Sequence, residues 1–239
     1  MKRTQHGPMA VVFRFSNRLF FATFLASALL SLNVQAGGSI TPAEAFVPRV
    51  ASEAQLKNAE ELKHLLAGIE TLQGRFKQSV KDKNGKSLQD SEGSYRIKRP
   101  GYFWWETDEP YPQLVVGTPS TLSVYDPDLE QLTVRPQDKN PDSPSQLLSG
   151  DFSGFSEQFV VDKHDSSQQV YTLLPKFENS DYQSITLAFE NQLPKTLVFR
   201  DRLNQSTEVR FVAPEANKPI TAKSFLFEAP EGTDIIEEG

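Results

Sequence analysis

Lys98-Arg99-Pro100-Gly101-Tyr102-Phe103-Trp104-Trp105-Glu106 holds both tryptophans of the chain and sets an arginine into a row of apolar side chains. Side chains of an extended strand alternate between two faces. On that rule Tyr95, Ile97, Arg99, Phe103 and Trp105 share one face, and Ser94, Arg96, Lys98, Tyr102, Trp104 and Glu106 share the other. The first row is apolar except for Arg99. Pro100 and Gly101 interrupt the phase, and two readings of Arg99 stay open. In one, the chain kinks at Pro100, which restricts the residue before it, and Arg99 is a solvated edge residue. In the other, Arg99 faces the core, where a guanidinium is costly unless it is hydrogen-bonded or paired.

Period-two segments surround this stretch. Leu72, Gly74, Phe76, Gln78 and Val80 alternate with polar residues, and Asp82-Lys83-Asn84-Gly85-Lys86 is a strong hairpin signal before a return strand at about Leu88–Arg99. Further strands are expected at Tyr102–Glu106, Gln113–Val116, Thr121–Asp126, Glu130–Arg135, Phe159–Lys163, Val170–Leu174, Ser184–Glu190, Lys195–Asp201, Thr207–Val212 and Ser224–Glu228. Turn residues separate them, and the tail Pro230–Ile236 reads as irregular. Two stretches carry helical spacing instead. From Ala51 to about Leu72 apolar residues recur every three or four positions, with Ser52 and Gln55 in the order of a capping box. Between Pro136 and Phe159, Leu147 and Leu148 and then Phe152, Phe155 and Phe159 suggest short helices. A sheet with one apolar face has to be covered. The fold class expected is mainly β: an incomplete, highly curved antiparallel β-barrel of roughly ten strands, with a helical lid over an apolar cavity.

The amino terminus reads as an address rather than as fold. Lys2, Arg3, Arg14 and Arg18 precede an apolar run at Leu19–Leu32, and Val34-Gln35-Ala36 offers small residues for cleavage. Residues 1–36 are therefore expected to be a signal peptide, 37–50 a flexible mature amino terminus, and 51–239 one domain. Loss of four basic residues with the leader takes the formal charge from −6 to −10. Such an acidic chain is a poor ligand for nucleic acid or anionic lipid. It has no cysteine, which removes disulfides, thiolate chemistry and an acylated amino-terminal cysteine.

Catalytic signals are weak. His64 falls on the amphipathic helix and His164 in a polar turn, neither at metal-ligand spacing, and both read as surface residues. Gly154-Phe155-Ser156-Glu157-Gln158 lacks the second glycine of a nucleophile elbow. Asp126-Pro127-Asp128-Leu129-Glu130 lacks the glycine and later glutamate of a calcium loop. Neither enzyme activity, metal nor cofactor is expected. The many aromatics either fill a core or line a cavity, and composition does not separate the two.

One ordered set of residues is more specific. Gly93-x-Tyr95-x-Ile97-Lys98-Arg99-Pro100-x-x-Phe103-x-Trp105 follows a helix, Phe76-x-Gln78 and an Asn-Gly hairpin. Thr121-Leu122-x-x-Tyr125-Asp126-Pro127, Glu130-Gln131, the Pro144–Leu148 segment and Phe225-x-Phe227-x-x-Pro230-x-Gly232 come after it. This set resembles the LolA family of periplasmic outer-membrane lipoprotein carriers over nearly all of the mature chain. The resemblance implies a half-barrel chaperone without covalent chemistry. Its cargo would be triacylated lipoproteins, taken from an inner-membrane ABC-type lipoprotein-releasing complex and passed to an outer-membrane lipoprotein receptor. It implies that Arg99 bonds lid carbonyls, with Leu147-Leu148-Ser149 as the matching middle of the lid. Phe76, Tyr95, Ile97, Phe103, Trp105, Leu122 and Val124 are then expected to meet acyl chains, in a periplasmic monomer. Trp104 is bulkier than the family pattern, Ser145 and Gln146 are more polar, and Gly37–Val50 is long. The related receptor is acylated on a cysteine this chain lacks. A periplasmic sensor or regulator that binds stray lipoproteins in the same half-barrel competes with the carrier on the same fold. A hydrolase competes from another class and is opposed by the weak catalytic signals.

Overall fold

The computed structural model describes residues 49–137, 143–150, 152, 155–165, 167–178 and 180–238. The expected leader and nearly all of the segment 37–50 lie outside these residues. Helix α1 spans Glu53–Ala67. Its first turn carries the full capping box: Ser52 accepts from the Gln55 N–H, and Gln55 accepts from the Ser52 N–H at 2.8 Å.

Six strands follow: β1 Thr71–Lys81, β2 Ser87–Lys98, β3 Tyr102–Glu109, β4 Gln113–Gly117, β5 Thr121–Asp126 and β6 Gln131–Pro136. Short helices α2 (Pro144–Ser149) and α3 (Phe155–Gln158) interrupt the strands. The chain resumes with β7 Phe159–Lys163, β8 Val170–Pro175, β9 Tyr182–Glu190, β10 Leu193–Asp201, β11 Ser206–Ala216 and β12 Asp234–Glu237.

All twelve strands form one sheet in the order β12-β6-β5-β4-β3-β2-β1-β11-β10-β9-β8-β7. The sheet does not close, because β12 and β7 are its two ends. Every pair is antiparallel except β12 with β6, which is parallel. Two expectations for the carboxyl-terminal region are thereby corrected. Ser224–Glu228 is not a strand; Ala222–Phe225 is a 3-10 turn followed by extended chain. The tail is not wholly irregular, because Asp234–Glu237 adds the twelfth strand. Phe225 and Phe227 alternate like strand residues, but they pack on the outside of the sheet, against Leu114, Val116 and Ile220 and beside Tyr102, Trp104 and Tyr125. That contact, and not a ladder of hydrogen bonds, is what holds this segment extended.

Register carries one apolar face around the sheet. Residues directly opposite on paired strands point to the same side. Val161 lies opposite Leu173, Leu173 opposite Ile185, Ile185 opposite Phe199, and Phe199 opposite Thr207. Farther along, Phe211 faces Phe76, Phe76 faces Gly93, Tyr95 faces Trp105, Trp105 faces Val115, and Val115 faces Val124. Phe76 needs that glycine: a Cβ at Gly93 would stand 1.9 Å from the Glu106 carbonyl oxygen and 2.9 Å from the Phe76 ring.

Helix α1 covers the β7 end. Asn58 Nδ2 donates to the Val161 carbonyl at 3.1 Å, so a main-chain acceptor of the edge strand is occupied. Glu61 accepts from Lys163 Nζ at 2.7 Å and from the Tyr171 hydroxyl at 2.8 Å. The Lys163 bond, with Tyr171 and the charges of Lys163 and Lys57, holds the Glu61 carboxyl below its ordinary value of 4.5 despite the opposing effect of burial. A carboxylate with a depressed native pKa stabilises the fold above its unfolded pKa and loses that contribution as pH falls through the native one. Glu61→Gln should therefore flatten the fall in stability below about pH 5, measured as urea midpoint against pH. Gly93→Ala should lower stability at neutral pH by about 1–3 kcal/mol, the usual cost of overpacking a core, read from the same denaturation curves.

Candidate functional site

Strands β2 and β3 meet in a three-residue loop, Arg99-Pro100-Gly101, with Lys98 opposite Tyr102 and Ile97 opposite Phe103. Gly101 takes φ +80°, a left-handed conformation that favours glycine, with Pro119 packed beside it. The alternation on either side of Pro100 therefore stays in phase. Tyr95 and Ile97 are each 1% exposed, Phe103 0% and Trp105 3%.

These residues form a stack. The Trp105 ring lies 3.9 Å from Phe76 and 5.8 Å from both Tyr95 and Phe103, nearly parallel to Phe103 at 3°. Phe211 meets Tyr95 edge-on at 5.2 Å. Leu122 is buried on the same face, and Val124 is half-buried opposite Val115. All seven residues expected to meet acyl chains thus stand on one side of the sheet. Four of them, Phe76, Tyr95, Phe103 and Trp105, meet ring to ring.

The segment carrying α2 and α3 crosses that side. Helix α2 contacts β2 and β3, whereas α3 contacts α1 and β7 near the other end of the sheet. Phe152 and Phe155 sit in a row of rings that continues to Phe159 and Phe177. Leu147, Leu148 and Ser149 are all buried, and Ser149 is fully enclosed. The α2 cap is local: Ser143 accepts from the Gln146 N–H, and Pro144 occupies the first turn, where its missing N–H costs nothing.

Arg99 is not a solvated edge residue, and it has no ion-pair partner among the described residues. Its Nε donates to the Ile69 carbonyl at 2.9 Å, in the connection that follows α1, and its main-chain N–H donates to Glu70 at 2.8 Å. The guanidinium carbon lies 4.4 Å from the centre of the Phe152 ring. Its Nη1 is buried without a hydrogen-bond partner among the described residues. Loss of water around the cation pulls its pKa down to about 10, so it remains charged at neutral pH. The main-chain tie to the lid comes two residues later. Gly101 N–H donates to the Ser149 carbonyl at 2.7 Å, and the Gly101 carbonyl accepts from Gln137 Nε2 at 3.2 Å. One short loop therefore touches the end of α1, the lid and β6's trailing end.

Sequence reasoning does not single out Ile69, Gly101, Gln137 or Phe152 for this junction. Only the Pro-Gly dipeptide marks the place, as a turn. Asn217 is a further addition at the same joint. Its side chain accepts from Glu70 N–H at 2.8 Å and donates to the Gly68 carbonyl at 2.9 Å, which satisfies main-chain groups left over at the helix end. Trp104 also finds its place. It faces the outer side, with Arg96 4.3 Å over its ring and Phe227 edge-on at 6.5 Å, and is part of the outer apolar cluster. His64 and His164 are both exposed.

Residues 67–228 match the family model described as outer membrane lipoprotein carrier protein LolA. The chain belongs to that family. The outer-membrane lipoprotein carrier protein of Chromohalobacter salexigens is 38% identical over 190 residues, which cover 79% of this chain and 90% of that one. Its counterpart in Pseudomonas fluorescens is 36% identical over 194 residues, 80% of this chain and 94% of the relative. A solved LolA superfamily structure from Nitrosomonas europaea aligns over 75% of this chain and 99% of its own at 12% identity, with a TM-score of 0.45. Membership in the carrier family fits the half-barrel and the lid segment that crosses its apolar side.

Arg99→Leu should remove one charge-assisted hydrogen bond, about 1.5–3 kcal/mol, partly offset by relief of the unsatisfied Nη1. Amide exchange should accelerate at Gly101 and Leu66–Glu70 while the β9–β10 hairpin keeps its protection. Equal acceleration everywhere would mean global destabilisation instead.

Proposed function

We propose that the protein is a periplasmic lipoprotein carrier that takes the acyl chains of its cargo between the apolar face of the half-barrel and the lid. The observation that carries this reading is the continuous apolar face from β7 to β5, with a segment over it that meets the Arg99–Gly101 loop. Family membership and the carrier names of the relatives support it.

The closed state has to open for cargo to enter, since aromatic rings already occupy the interior. An acyl chain gains about 0.8 kcal/mol for each methylene it buries. Three long chains in an open trough would be held almost irreversibly. The closing contacts oppose that: Phe152 against Arg99, Gly101 bonded to Ser149, and the stack around Trp105. Their recovery on closing subtracts from cargo affinity, which makes release to a second site possible. Cargo would come from an inner-membrane ABC-type releasing complex and leave to an outer-membrane receptor. Arg99 and the segment Leu147–Ser149 act as the latch, and Phe76, Tyr95, Ile97, Phe103, Trp105, Leu122 and Val124 as the wall. No step of this cycle calls for a covalent bond or a cofactor.

The two tryptophans provide the test, because they lie on opposite faces. Diacyl lipids with bromine midway along the chain quench a tryptophan they touch. With a bromolipidated peptide as cargo, fluorescence of Trp104→Phe, which retains Trp105, should fall at least twofold. Trp105→Phe, which retains Trp104, should respond little. The reverse pattern would place the acyl chains on the outer face and sink the reading.

A further inference from the structure

The two ends of the sheet are treated differently. At β7 the edge is covered by α1, and Asn58 occupies the Val161 carbonyl. At β12 all four residues are exposed. The main-chain N–H groups of Asp234 and Glu238 donate to Glu130 and Val134, each at 2.8 Å. Main-chain direction alternates along a strand, so Asp234, Ile236 and Glu238 face β6 and Ile235 and Glu237 face away from it. Those two residues present the donor and acceptor pattern to which another strand pairs.

The side chains around this edge narrow the choice of partner. Ile235 is 56% exposed, Ile236 39%, and Leu129, in the turn beside the start of β12, 57%. Around them the charge is mostly negative, with Arg135 on β6 the basic residue next to the end of β12. Asp128 and Glu130 flank Leu129, and Glu231, Asp234, Glu237 and Glu238 lie along the tail. No lysine or arginine occurs between Ser224 and Gly239. Sheet edges are commonly guarded by lysine, proline or a cover, and this one has a run of aliphatic residues framed by carboxylates.

We propose that β12 is a docking edge for a partner protein, and that the partner adds an extended segment in which lysine or arginine alternates with aliphatic residues. Main-chain bonds to Ile235 and Glu237 would supply affinity. Aliphatic contacts with Ile235, Ile236 and Leu129, and ion pairs with the carboxylates, would supply selectivity. An anionic membrane surface does not fit, because it would meet carboxylates. The proposal stands apart from the lipid-carrying reading, and its test involves no cargo.

The probe is a fluorescent eight-residue peptide of alternating valine and lysine, titrated into the full mature chain and followed by anisotropy. A valine–glutamate peptide is the control. Binding is expected for the first peptide only, weakening at least tenfold between 50 and 500 mM salt. Ile235→Pro removes an N–H that points away from β6, so it should spare β12–β6 pairing and weaken binding at least tenfold. A peptide N-methylated on alternate residues tests the same bond with the unaltered protein and should bind at least tenfold less tightly. In NMR the amides of Ile235 and Glu237 should shift most. Equal binding of the N-methylated peptide, equal binding of the glutamate peptide, amide shifts centred elsewhere, or no binding at millimolar peptide would each overturn the proposal. So would a preference for phosphatidylglycerol vesicles over the lysine peptide.

Discussion

A sheet that curls without closing keeps a concave face which nothing in its own hydrogen-bond ladder can cover. Here that face is apolar across ten consecutive strands, from β7 through β11 and from β1 to β5. The cost of leaving it wet dictates the rest of the structure. Helix α1 takes the β7 end, the α2–α3 segment takes the gap between β3 and β7, and the aromatic side chains are large enough to meet across what remains. Among the described residues, the cover meets the β2–β3 loop through the Gly101–Ser149 main-chain bond and through Phe152 against Arg99. A joint built from a loop N–H, a half-satisfied guanidinium and ring contacts can be exchanged for other apolar contacts more readily than a helix locked in by ion pairs. The division of labour is visible in the side chains: α1 is pinned by Asn58 and Glu61, while the lid meets Gly101 through Ser149 and Arg99 through Phe152.

Much of the fold is legible in the sequence because alternation and turn chemistry agree. Tyr95, Ile97, Phe103 and Trp105 share a face, as their parity indicates, and the Pro100-Gly101 interruption resolves into a loop that preserves phase. Asn191 and Gln192 both take positive φ in the β9–β10 hairpin, consistent with a turn at that dipeptide. The carboxyl-terminal region misleads for the same reason that the rest reads correctly. Phe225 and Phe227 alternate, but alternation reports burial on one side and not pairing. Asp234–Glu237 is too short for any period to show, and its pairing with β6 depends on a partner about a hundred residues away. Arg99 illustrates a different limit. Its face can be read from its neighbours, but the carbonyl it bonds cannot, since Ile69 belongs to a connection whose position is set by α1.

The outer surface of β2 to β5 adds a second, smaller apolar layer. Leu114, Val116, Trp104 and Tyr102 are covered by the carboxyl-terminal segment, with its 3-10 turn at Ala222–Phe225, through Ile220, Phe225 and Phe227. Both faces of the β3 region therefore carry apolar packing. This braces β3 on both sides, and it ties the tail that leads to β12 onto the strands bearing Trp105.

The ring stack around Trp105 has a thermodynamic consequence. The interior walls are already removed from water before any ligand arrives, because Phe76, Tyr95, Phe103 and Trp105 cover one another. A ligand that replaces these contacts exchanges one dry surface for another on the protein side. Only its own apolar area leaves water. The heat-capacity change of binding would then be set by the size of the ligand and would understate the area of the final interface. Calorimetry of a trough kept open would give a larger value for the same ligand, and the difference would measure how much wall the closed state hides.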